Sequence, residues 1–245
     1  MEIRQTREKD RASLFALWEE AFGDSENTVK EFFDAFDFIN NGFTVFKDGR
    51  AVSALYFIKA EIVYGGKTYP AAYIYAAATL KEYRGRGYMS KLIDFACKKA
   101  GEQGYACAFL CPSDKGLFDY YGKLGFKAAF YQREYERVNG RETGGFPFVS
   151  WDDKTVRFAA ASEENVFLSG AVYNENGGEI YIDYFLTPNV FDTAGKMLKA
   201  FDGKEVYARF PVTDAEQAKT PRGMIKKLSD SVPDMDNIYL GISLE

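Results

Sequence analysis

Apolar and polar positions alternate in two different rhythms along the chain, and the changes of rhythm mark its elements. Leu14, Leu17, Trp18, Ala21 and Phe22 recur at intervals of three and four and are followed by Gly23, which predicts a helix ending there. Ser25 is placed to cap a second helix with Val29, Phe32, Phe33 and Phe36 on one side. Ahead of both, MEIRQT reads as a short first strand. The stretch GFTVFKDGRAVSALYFIKAEIVYGGKTYPAAYIYAAATL is rich in β-branched and aromatic residues and is broken at Asp48-Gly49 and Gly65-Gly66, so it predicts three strands in an antiparallel meander. Helical spacing returns with Met89, Leu92, Ile93, Ala96, Cys97 and Ala100, ending near Gly101 or Gly104. YACAFLC reads as a buried strand, Ser113 as the cap of a helix bearing Leu117, Phe118 and Tyr121, and KAAFYQREYERV as a returning strand.

The polar, glycine-rich stretch NGRETGGFPF is read as a linker, after which the pattern restarts. TVRFAAA predicts a strand, Ser162 the cap of a helix through Val172, and GEIYIDYFL another strand. Thr187-Pro188 signals a helix start, with Phe191, Ala194, Met197, Leu198 and Phe201 on one face and Gly203 after it. EVYARFPV and NIYLGISLE close the chain as predicted strands. The organisation expected is a first domain at 1–138, a linker at 139–150 and a second, smaller domain at 151–245, both α/β (α+β), with a mixed, mostly antiparallel sheet flanked by helices.

Composition narrows the function classes. The formal charge of −5 provides no broad basic surface for nucleic acid. No apolar run is long enough to span a bilayer, and the first residues lack the apolar core of a secretory signal, so no membrane partner is expected. Cys97, Cys107 and Cys111 lie in apolar surroundings without metal-type spacing, which suits buried thiols in a reducing cytoplasm, and no metal is expected. The chain has no histidine, so an imidazole base and His-ligated zinc are excluded.

The candidate chemistry lies in YRGRGYM, residues 83 to 89, between a predicted strand and a predicted helix. Such a junction gathers unpaired backbone N–H groups and the positive end of the helix dipole, and Gly85, Gly87, Arg84 and Arg86 would suit a pyrophosphate there. A plain glycine-containing turn explains the same residues. The pattern is neither G-x-x-x-x-G-K-[ST] nor G-x-G-x-x-G. A second segment, FLCPSDKGLFDYYGKLGF, follows one helix and one strand later.

With both segments in view, residues 1 to about 137 resemble the GNAT family, the GCN5-related N-acetyltransferases. Arg84-Gly85-Arg86-Gly87-Tyr88-Met89 is similar to that family's [QR]-x-x-G-x-[GA] loop, with Met89 in place of the final small residue. Tyr120-Tyr121-Gly122-Lys123-Leu124-Gly125-Phe126 is similar to its aromatic-Tyr-x-x-x-Gly-Phe segment. The Arg-rich loop with a bulky last residue resembles the Eis branch, in which a degenerate GNAT-like domain follows the first; the further module of that branch would have no room here and is not expected.

The resemblance implies a GNAT fold, acetyl-CoA as acyl donor, and transfer to a primary amine of a small molecule or amino sugar, or to a protein amine, in the cytoplasm. It implies cofactor contacts from Ala77, Ala78 and Thr79 on the strand, from Arg84, Gly85, Arg86, Gly87, Tyr88, Met89 and Ser90 in the loop, and from Ser113, Asp114 and Tyr121. Tyr121 takes the position of the general acid, with Tyr120 filling an aromatic packing position. The base is left between water, a carboxylate such as Asp183 and the terminal carboxylate of Glu245. Two other readings stand beside this one: a non-catalytic acyl-CoA-binding sensor, and an aminoacyltransferase similar to the FemABX tandem-GNAT group, against which the lack of a basic face counts. Trp18, Phe32, Phe33 and Tyr73 are candidates for an acceptor pocket or for core packing.

Overall fold

The computed structural model describes residues 1–140, 144–160, 166–168, 170–214, 217 and 219–241. Strand β1 (Glu2–Gln5) pairs antiparallel with β2 (Gly42–Lys47), and β2 with β3 (Arg50–Tyr64) through the Asp48-Gly49 turn. Strand β4 (Lys67–Thr79) returns along β3 after Gly65-Gly66, completing the meander that the alternation predicts. Helices α1 (Arg11–Phe22) and α2 (Glu26–Phe36) precede β2, followed by the short α3 (Phe38–Asn41). Gly23 ends α1 at φ +76°, and the Ser25 hydroxyl accepts the Thr28 amide at 3.2 Å, so both termini form as their residues dictate. Leu14, Leu17 and Trp18 face the core, whereas Phe22 is 48% exposed.

Helix α4 (Tyr88–Glu102) buries Leu92, Ile93, Ala96, Cys97 and Ala100 against the sheet. It leads to β5 (Cys107–Leu110), which runs parallel to β4, and then to α5 (Lys115–Gly122) and β6 (Lys127–Arg137). The cap of α5 is Asp114 and not Ser113: its Oδ1 accepts the Leu117 amide at 2.9 Å, while Ser113 lies one residue outside the cap.

The second half departs further from expectation. Phe148–Trp151, at the end of the glycine-rich segment, is strand β7 and pairs antiparallel with β3. Residues 155–160 of TVRFAAA belong to a helix, α6 (Asp153–Ala160), whose start is set by Asp152 accepting the Thr155 amide at 2.8 Å. Ser162 lies outside the described residues; the helix expected through Val172 is contradicted by β8 (Val166–Leu168) and β9 (Ala171–Asn176). Strand β10 (Glu179–Phe185), helix α7 (Val190–Ala200) and β11 (Val206–Pro211) follow as the pattern predicts. Of the strand expected from NIYLGISLE, residues 237–241 form only isolated bridges at Ile238 and Tyr239, because they lie between β6 and β7 and touch each at one point; residues 242–245 lie outside the described residues.

Strand β12 (Thr220–Lys227) interrupts the order of the chain. It inserts between β5 and β6, while β6 pairs on its other side with β11, giving the order β1-β2-β3-β4-β5-β12-β6-β11-β10-β9-β8. Each half thus lends a strand to the other within one mostly antiparallel sheet. One apolar core joins α1, α2 and α4 to the strands of the first half, and a second lies where α7 covers Ile180, Ile182, Val206 and Ala208.

Candidate functional site

Strands β4 and β5 pair over only three residues, Ala71–Tyr73 with Cys107–Phe109. Beyond Tyr73 they part, and β4 continues to Thr79 without a partner on that side. On its other side β4 carries a bulge: Ala76 and Ala77 together lie opposite Leu55, and Ala76 takes φ +47°. A non-glycine residue in this conformation is costly and is held by its surroundings. Here Tyr56–Tyr75 and Ala54–Ala78 pair on either side of it, and the buried Ser53 hydroxyl donates to the Ala78 carbonyl at 3.1 Å. The Ser53 and Thr79 hydroxyls also bond, at 2.8 Å. Tyr75, Ala76, Ala77 and Thr79 are half-buried, so the opening is lined by small side chains and one tyrosine.

The chain then turns across the end of the sheet. The Leu80 amide donates to Val52 at 3.0 Å, and the Lys81 amide to the Glu20 carboxylate of α1 at 2.9 Å. Arg84 donates through Nε to the Thr79 carbonyl at 3.0 Å, which spends part of the guanidinium on shaping the turn. Gly85 and Gly87 have φ +73° and +72°, a region that favours glycine. Gly87 is the N-cap of α4 and no side chain caps the helix.

Among the described residues, the amides of Gly85, Arg86, Gly87, Tyr88, Met89 and Ser90 donate to no acceptor; the first helical bond runs from Lys91 to Gly87 at 3.2 Å. A Cβ placed on Gly85 or Gly87 would have no heavy atom within 4 Å, so the space beside these two Cα atoms is open. Arg86 lies over the Tyr83 ring at 5.5 Å and Lys47 over the same ring at 5.8 Å, adding positive charge beside the helix start. This arrangement fits a diphosphate.

Helix α5 is tied to the same helix start: the Ser90 and Tyr120 hydroxyls bond at 3.0 Å. Tyr121, the next residue, is 8% exposed and packs against Tyr120 and Phe126 at ring separations of 5.2 and 6.0 Å. Its hydroxyl bonds to no group among the described residues and is not sealed from solvent. Burial pushes its pKa up to about 12, with Tyr120 and Asp114 adding to the rise, so the phenol keeps its proton through neutral pH. Ser113 and Asp114 are exposed at the start of α5.

Other expected residues lie elsewhere. Trp18, Phe32, Phe33 and Tyr73 are buried in the core. Asp183 lies on β10, five strands from β4, where it accepts from the Tyr135 hydroxyl and from the Asn174 amide at 2.7 Å. Glu245 lies outside the described residues. Residues with no signal in the sequence also shape the site. Ala76 belongs to a type that rarely takes positive φ, and Ser53 and Glu20 act through bonds to residues 25 and 61 positions away. No helix among the described residues is long and apolar enough to cross a membrane, which leaves strand-based spanning unaddressed.

A family model for the acetyltransferase (GNAT) domain matches residues 2–129, more than half of the 245-residue chain. A GCN5-related N-acetyltransferase from Kribbella flavida superposes with a TM-score of 0.67 at 17% identity, over 93% of this chain and 72% of that one. A probable N-acyltransferase of unknown function from Enterococcus faecalis gives 0.68 at 17%, over 93% and 72%. Eis1 from Mycobacterium abscessus gives 0.68 at 13%, over 93% and 74%. At such identities the likeness is one of fold, and it extends over both halves. No curated protein matches the sequence. The parted strands, the uncapped helix start and the matched domain together establish that the chain belongs to the GNAT acetyltransferase family.

Proposed function

We propose that this protein transfers an acetyl group from acetyl-CoA to a primary amine, carried by a small molecule such as an amino sugar or by a protein. The observation that carries the reading is the row of unbonded amides from Gly85 to Ser90, beside a strand that has parted from its neighbour. In this reading the amides, with Arg86 and the free nitrogens of Arg84, hold the diphosphate of the donor. The pantetheine arm runs along the unpaired edge of β4, where Ala77, Ala78 and Thr79 leave room for it. Tyr88, Met89 and Ser90 at the helix start, with Ser113 and Asp114 opposite, flank the arm.

The acceptor nitrogen attacks the thioester carbon as a neutral amine. As the C–N bond forms, negative charge develops on the carbonyl oxygen, and a backbone N–H at the Ala76–Ala77 bulge is suited to stabilise it. The C–S bond then breaks, and Tyr121, protonated because it is buried, supplies a proton to the leaving sulfur. The nitrogen's proton leaves to water or to the Glu245 carboxylate. Asp183 is too far along the sheet to take it.

The experiment is a calorimetric titration with acetyl-CoA followed by free-thiol release over a panel of amines. Binding with amine-dependent release supports the proposal. Binding without release over a broad panel favours the non-catalytic sensor, and absence of binding refutes both.

A further inference from the structure

The unit β4-α4-β5 recurs in the second half as β10-α7-β11. In each, two parallel strands pair over three residues, Ala71–Tyr73 with Cys107–Phe109 and Ile180–Ile182 with Val206–Ala208. In each, a helix crosses between them and the leading strand carries a bulge after the last pair, at Ala76–Ala77 and at Asp183. Both therefore end in a fork.

The contents of the two forks differ. The first helical amides are unbonded in both, at Tyr88 to Ser90 and at Val190 to Asp192; the difference lies ahead of the helix, where the first has free amides at Gly85, Arg86 and Gly87 and the second has Leu186-Thr187-Pro188-Asn189. The Leu186 amide donates to the Gly170 carbonyl at 2.9 Å, Pro188 has no N–H, and the Asn189 amide donates to the Thr187 hydroxyl at 3.1 Å. Along the strand, the Gln132 side chain donates to the Asp183 carbonyl at 3.2 Å. The buried Phe185 amide donates to the hydroxyl of Tyr239 at 3.0 Å. The charged groups acting on that hydroxyl, Asp183 of β10 and Arg209 of β11, come from the two arms of the fork. Next to it, a Cβ on Gly241 would lie 3.1 Å from the Phe185 carbonyl. The recess that remains beside Tyr131, Tyr184, Arg222 and Tyr239 measures about 10 Å³. That is room for about one water.

We propose that Tyr239 is an internal ligand of the second fork: its hydroxyl oxygen takes the strand amide that an incoming ligand's oxygen would otherwise take, and the fork is closed to acyl-CoA. The inference rests on the reading of the first fork as the donor site. It makes Tyr239 the positioning residue for the segment from Ile238 to Gly241. That segment bonds to β6 through Ile238, with Ala129 and Tyr131 as partners, and to β7 through Tyr239, with Pro147 and Val149. The Leu240 carbonyl accepts the Trp151 indole N–H at 2.8 Å. Trp151 in turn packs on Tyr73 and Phe109, the last pair before the first fork opens. The second fork is thus used to hold a segment beside the root of the first.

Two measurements test this. Titration with acetyl-CoA should give one site per chain in the parent and none in a G85D/G87D variant, which puts carboxylates in front of the free amides. Two sites in the parent, or a site surviving in that variant, would overturn the internal-ligand proposal. No site in the parent would instead sink the donor-site reading. Independently, amide exchange followed by NMR should show Phe185 protected in the parent. In Tyr239→Phe, exchange at Phe185 should speed at least about tenfold with Ile182 unchanged, since the lost acceptor is worth about 1.4 kcal/mol or more. Unchanged protection of Phe185 would overturn the role given to the hydroxyl.

Discussion

Replacing Tyr121 by phenylalanine removes one hydroxyl from a ring that is 8% exposed and packed against Tyr120 and Phe126. That hydroxyl bonds to no described group, so the substitution strands no donor or acceptor, and stability should change by no more than about 0.5 kcal/mol. For a domain of this size the melting temperature should then move by about 2 °C or less. The effect on chemistry is of another order. A positioned general acid contributes about 10²-fold or more, equivalent to about 2.7 kcal/mol of barrier. Because the proposed diphosphate contacts come from residues 84 to 90, the dissociation constant for acetyl-CoA should stay within about twofold. The assay is single-turnover thiol release at saturating acetyl-CoA, paired with calorimetric binding and a melting curve. Unchanged single-turnover rates would refute the assignment. A rate loss accompanied by equally weakened binding and a lower melting temperature would reassign Tyr121 to packing.

Further outcomes follow from the same geometry. Gly87→Ala should lower stability by about 1–2 kcal/mol, because φ +72° is costly for alanine while nothing lies within 4 Å to clash; a melting curve measures it. Burial raises Cys97 to about 11 and Cys107 to about 12, so iodoacetamide at neutral to mildly alkaline pH should label the half-exposed Cys111 and spare the other two, as peptide mass mapping would read. In the proposed reaction Tyr121 acts in its protonated form, and burial pushes its pKa up to about 12, so turnover should show no alkaline decline up to about pH 10.5. An ordinary phenol, with pKa about 10, would produce that decline within the measured range.

The parts of the molecule legible in the sequence are those fixed by local chemistry. Gly23, Ser25, Asp48-Gly49 and Gly65-Gly66 end or start elements through their own backbone preferences or side chains, and the first meander follows. The loop at Gly85 and Gly87 was legible for the same reason, since both positions need positive φ. Strand β12 was not. Proline and glycine generally disfavour strands, and both Pro221 and Gly223 lie within it; Gly223 is required because a Cβ there would lie 2.9 Å from the Leu110 carbonyl of the neighbouring strand. In α6 the alternation of Val156 and Phe158 suggests a strand, and the helix is set instead by Asp152 and by packing of Phe158 on Phe32 and Phe36. The bulge at Ala76 and the contact between Phe185 and Tyr239 depend on partners far along the chain, and no local pattern reports them.

Everything in the proposed reaction depends on the amides of Gly85, Arg86 and Gly87 receiving the diphosphate of coenzyme A. The direct measurement is an amide-resolved NMR titration with acetyl-CoA. These three resonances should move together and saturate with one equivalent of ligand. Binding that leaves all three in place while other amides respond would contradict it.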